Sequence, residues 1–133
     1  MREKGSVTTV GIMMLISGIL NILVAIAWAV TILTGAAGFG AATCGLGCVT
    51  GLLAPVAFLV PCCVGVFEIV VAAKLLKAQP QESGLYMVAA VAEISSILWL
   101  NLLSVGLGIA NMVLIAGDEF KGYFREKEFP SQE

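Results

Sequence analysis

From Val7 to Leu33 the chain carries no charge, and from Leu85 to Gly117 it runs 33 residues without a lysine or arginine. A helix needs only ~20 predominantly apolar residues to cross the ~30 Å hydrocarbon layer of a bilayer. A soluble domain of 133 residues, 59% of them hydrophobic and 12% charged, has no interior large enough to hide such runs. Lipid solvates them directly, on the condition that every backbone N–H and C=O is satisfied within the segment, which selects helices. The expected fold is therefore a single all-α integral membrane domain, an antiparallel bundle of four transmembrane helices with both termini cytoplasmic.

The spans are expected over 7–33, 55–76, 85–101 and 104–119. The first run is too long for a signal-peptide core and reads as a retained span. Pro55 suits a first helical turn, and Pro61 is placed to kink the interior of the second helix. The segment 34–54 holds six glycines and no charge. Glycine at that density disfavours a long regular helix, so the expectation is an outer loop with a short helical or re-entrant piece. Leu85–Gly117 as one helix would be about 50 Å long, too long for a bilayer, and is divided at Asn101 to Ser104. Both halves are then short, which predicts a hairpin tip below the outer surface. In the tail, 120–133, Phe120, Tyr123 and Phe124 share one helical face with charges elsewhere, the pattern of a helix at the interface.

Orientation follows from charge. All seven basic residues (Arg2, Lys4, Lys74, Lys77, Lys121, Arg125 and Lys127) fall in the N-terminus, the segment between spans two and three, and the C-terminus. The positive-inside rule then places both termini in the cytoplasm, and the expected host is a prokaryotic cytoplasmic (inner) membrane. Trp28 and Trp99 fall near the outer ends of their spans, Tyr86 and Tyr123 near the inner interface, as aromatic belts do.

Each span carries one strongly polar residue: Asn21, Glu68, Glu93 and Asn111. Counted from the cytoplasmic flanks at ~1.5 Å per residue, Glu68, Glu93 and Asn111 share a layer roughly 9–14 Å deep, whereas Asn21, roughly 22 Å beyond Ser6, need not belong to it. Small residues flank them at helical spacing: Gly11, Gly18, Gly65, Ala72, Ala89 and Gly108 are the expected helix-packing positions, since small side chains let helices approach closely. A membrane carboxylate costs at least ~2.5–3.5 kcal/mol, and no Lys or Arg lies within the spans to pair with it. At least one of Glu68 and Glu93 is therefore expected to hold a proton, as donor in an interhelical hydrogen bond or as part of a proton or cation site.

Function is read mainly by exclusion. There is no histidine, no paired nucleophile and base and no metal-ligand spacing, so an enzyme, a metal and a cofactor are not expected. Cys44, Cys48, Cys62 and Cys63 form no CxxC pair and read as small packing residues. No basic stripe exists for nucleic acid. The expected role is structural, assembly or accessory: a bundle that packs in the bilayer as a homo-oligomer or onto a larger membrane protein, through its small-residue faces and the uncharged outer loop. The alternative is a proton- or cation-dependent channel or transporter using Glu68 and Glu93.

Overall fold

The computed structural model describes residues 5–42, 54–77 and 83–128. Among these the chain is helical, with no strand: α1 (Gly5–Ala42), α2 (Ala54–Leu76), α3 (Ser83–Ser95) running into a 3₁₀ turn (Ser96–Trp99), α4 (Leu102–Ala116) and α5 (Asp118–Glu128). The helices over Gly5–Gly35 and Pro55–Leu76 are long and apolar enough to cross a membrane. A third candidate is the bent pair Leu102–Ala116 and Asp118–Arg125, which turns through 58°, while Gly84–Leu98 is apolar but shorter.

α1 differs from its expected extent. It continues through Gly35, Gly38 and Gly40 to Ala42, into the stretch expected to be a Gly-rich loop; residues 43–53, with Cys44 and Cys48, lie outside the described residues. The physical reason is the solvent. The stretch carries no charge, and in an apolar surrounding such as a membrane, with little water to accept its N–H and C=O groups, a chain satisfies them in a helix even at glycine's entropic cost. Thr31 and Thr34 reinforce this by donating to the carbonyls of Ala27 and Val30, each at 2.8 Å.

α1 and α2 pack along each other through missing side chains. A Cβ built on Gly18 would lie 2.7 Å from the carbonyl oxygen of Gly65, and one on Gly65 would lie 2.5 Å from that of Gly18, so the two backbones touch there. A Cβ on Gly11 would meet Leu76 at 2.9 Å. Pro61 lies buried inside α2, which runs unbroken from Ala54 to Leu76. The α3–α4 hairpin closes the same way: a Cβ on Gly108 would fall 2.7 Å from the Cβ of Glu93. Ala72 and Ala89 are fully buried. The small-residue faces are thus consumed inside the protomer. Outward, α1 presents Ile12, Ile16, Ile19, Leu23, Ile26 and Val30, all about half exposed.

One end of the molecule has an apolar core. Val7, Val10 and Met14 of α1, Val71 and Leu75 of α2, Tyr86 of α3, Ile115 of α4, and Phe120 and Phe124 of α5 pack together. α5 reaches it because Gly117 is extended (φ −67°, ψ 152°) and ends α4 one residue after Ala116, so the expected span 104–119 is two helices rather than one. Asp118 and Glu119 in the first turn of α5 suit the positive end of its dipole. Phe120 then meets Tyr86 edge-on at 5.6 Å between ring centres. Tyr86 is fully buried in this cluster. Trp28 is half-buried.

Candidate functional site

Eight polar side chains are buried among the described residues, and they lie together: Ser17 and Asn21 from α1, Glu68 from α2, Glu93 from α3, Ser96 from the 3₁₀ turn, Asn101 from the break, and Ser104 and Asn111 from α4. None exceeds 5% exposure. Asn21 is central. Its Nδ2 donates to both carboxyl oxygens of Glu68, at 3.1 and 3.0 Å, and its Oδ1 accepts from Asn101 Nδ2 at 2.7 Å. Asn111 Nδ2 donates to Glu93 Oε2 at 2.7 Å. The hydroxyls of Ser17 and Ser104 are hydrogen-bonded across α1 and α4, and Ser17 lies beside both carboxyl groups.

The break between α3 and α4 is built to leave little backbone unsatisfied. Leu100 takes a left-handed conformation (φ 59°, ψ 23°), which turns the chain; its N–H bonds to Ile97 at 3.0 Å. Asn101 caps α4, with Oδ1 accepting from the N–H of Ser104 at 3.2 Å. Ser96 donates to the carbonyl of Glu93 at 2.5 Å and lies 3.4 Å from that of Asn101. One side chain, Asn101, therefore both caps a helix and ties the hairpin tip to α1.

All four residues expected to carry the site, Glu68, Glu93, Asn111 and Asn21, are fully buried in this cluster. Asn21 joins the layer to which the depth argument did not require it to belong. The count from Ser6 assumed that all helix ends are level, but α1 begins lower: Gly11, not Ser6, lies beside Leu76. From that shared level Asn21 rises ~15 Å and Glu68 ~12 Å, within reach of one side chain. Ser17 and the capping role of Asn101 were not anticipated. Ser17 stands four residues before Asn21 on the same helical face, and Asn101 immediately precedes an apolar run with Ser104 three residues on, a helix-start signal legible in principle.

The arrangement has no basic residue and, among the described residues, no group of three or more His, Cys, Asp or Glu placed to hold a metal ion. Cys62 and Cys63 are free thiols outside the cluster. Chemically it is a set of carboxyl, carboxamide and hydroxyl groups that can hold protons and share hydrogen bonds. Comparison of the chain with protein families, curated proteins and solved structures finds no match in any of the three.

Proposed function

We propose that the chain is an integral membrane protein of four membrane-embedded helices, with both termini cytoplasmic, whose role is structural or accessory: it packs in the bilayer against a larger membrane protein or further copies of itself. One observation carries this reading. The buried polar side chains turn inward and engage one another, the glycine faces are used internally, and the outer face of α1 is a continuous stripe of branched aliphatic residues. Only lipid or another apolar surface suits that exterior. The orientation rests on the basic residues: Lys74, Lys77, Lys121 and Arg125 all belong to the end of the molecule gathered around Tyr86 and Phe120, in keeping with the positive-inside rule.

In this reading the α3–α4 hairpin ends inside the hydrocarbon layer. Asn101 at its tip bonds Asn21, and α1 continues 21 residues beyond that point, ~30 Å of helix. Leu98, Leu100, Leu102 and Leu103 around the tip are 69–77% exposed, a surface for acyl chains.

The test is gentle purification of the tagged chain from native membranes, with co-purifying proteins identified and copy number measured. A stoichiometric membrane partner or a defined oligomer supports the proposal; a solitary monomer refutes it. The second reading, a proton- or cation-dependent channel or transporter, is favoured by the enclosure of two carboxyl groups in one cluster without a basic counter-charge. Proton or sodium flux in liposomes that falls on Glu68→Gln or Glu93→Gln would establish it.

A further inference from the structure

The hydrogen-bond inventory of the cluster is uneven in one place. Both oxygens of Glu68 accept from Asn21, but Glu93 uses only Oε2, and its Oε1 has no partner. Asn111 donates through Nδ2, and its Oδ1 has no partner either. These two fully buried oxygens belong to the same two side chains that already share one hydrogen bond. With Glu93 ionised, both are buried acceptors without a hydrogen-bond partner, a costly arrangement away from water. A single hydrogen atom resolves both at once. Placed on Glu93 Oε1, it would donate to Asn111 Oδ1 while Asn111 Nδ2 donates to Glu93 Oε2, closing a carboxylic acid–carboxamide ring.

We propose that Glu93 Oε1 is the proton-binding site of this cluster and that the bound proton completes a two-bond ring with Asn111, latching α3 to α4. Glu68 differs in that both of its oxygens already accept from Asn21. The proton comes from water and returns to it, and only the O–H bond and the hydrogen bond to Asn111 change. The groups facing Glu93 are Glu68 from α2, whose interaction with Glu93 is electrostatic, Ser17 from α1, and Gly108 and Asn111 from α4. Glu68 is the titratable one among them. The contact of Gly108 with the Glu93 stem leaves the pair closely packed, which suits a proton better than a hydrated metal ion. The proposal goes beyond the structural role: a bundle that transports nothing would hold the same proton.

The sign of the pH dependence follows from linkage. The folded state holds a proton that the unfolded chain releases, so stability falls as pH rises, the unfolding constant growing by up to about tenfold per pH unit for one proton. Glu93→Gln places an amide N–H where the proton would be and keeps a carbonyl for Asn111, so it should fold as well as the protonated protein and lose that pH dependence. The experiment is infrared spectroscopy with an equilibrium unfolding titration on the purified protein, from acid to alkaline pH. The expected result is a protonated-carboxyl band at neutral pH that disappears in Glu93→Gln and survives Glu68→Gln, with the pH dependence of stability in Glu93→Gln reduced by about one proton. A band lost in Glu68→Gln and kept in Glu93→Gln overturns the proposal, as does its loss when sodium replaces choline at constant pH. If Glu93→Gln does not accumulate, Asn111→Ala decides: losing the Nδ2 donor should shift the band to higher frequency, and an unmoved band overturns the ring.

Discussion

Replacing Asn21 with leucine removes the residue on which the polar cluster turns while conserving its size. Three hydrogen bonds go with it: two to Glu68, at 3.1 and 3.0 Å, and one from Asn101, at 2.7 Å. In membrane bundles a side-chain hydrogen bond averages about 0.6 kcal/mol and reaches ~1.7, because the unfolded chain in lipid finds other partners. Three such bonds amount to about 2 kcal/mol, with an upper bound near 5, so the unfolding constant should rise roughly 30-fold. The assay is reversible unfolding in mixed micelles, with Thr9→Val as control: Thr9 bonds Gly5 on an exposed helix face and should be nearly neutral. Removing both partners is gentler than orphaning one, so Asn21→Leu with Glu68→Leu should cost less than the two single losses combined, by ~1 kcal/mol or more. A loss below ~0.5 kcal/mol for Asn21→Leu, or strict additivity in the cycle, would refute the account of Asn21 as the hub.

The glycines divide into two classes that alanine distinguishes. Gly65→Ala and Gly108→Ala should destabilise by ~1–3 kcal/mol, because the new methyl meets backbone or a Cβ, while Gly106→Ala, with nothing within 4 Å, should stabilise by ~0.5–1 kcal/mol. Leu100 is left-handed and 72% exposed, so Leu100→Gly should relieve ~1–2 kcal/mol of backbone strain, read in the same titration. Phe120→Ala should release α5 from Tyr86, costing ~3–5 kcal/mol if the aromatic cluster holds the helix; limited proteolysis after Gly117 reads it directly. In a background with the native cysteines replaced, a cysteine at Leu100 should resist an aqueous maleimide that labels one at Lys77. Equal labelling would refute a hairpin tip within the lipid.

The cluster shows how far residue-by-residue reading reaches. Glu68, Glu93, Asn21 and Asn111 stand out because hydrocarbon tolerates such side chains only where they meet other polar groups, so their burial follows from chemistry alone. Their pairing does not follow. Asn21 was separated from Glu68 by a depth count that could not know α1 begins about one and a half turns below the end of α2. Serine is weakly polar and common in such helices, so Ser17 gave no signal apart from its spacing to Asn21. The sequence position of Tyr86 likewise does not show that the bend at Gly117 folds Phe120 and Phe124 over it.

What the sequence by itself determined is the class of object: an all-helical chain with helices apolar and long enough for a membrane, a break near Asn101, and a few polar residues that must find partners. These are properties of composition and of length against a fixed hydrocarbon thickness, and they sum along the chain without reference to neighbours. The tertiary structure alone decided which small-residue faces close on one another and which amide meets which carboxyl. Those outcomes depend on the relative heights of packed helices, set where Gly18 meets Gly65 and Gly108 meets Glu93, at contacts between residues distant in the chain.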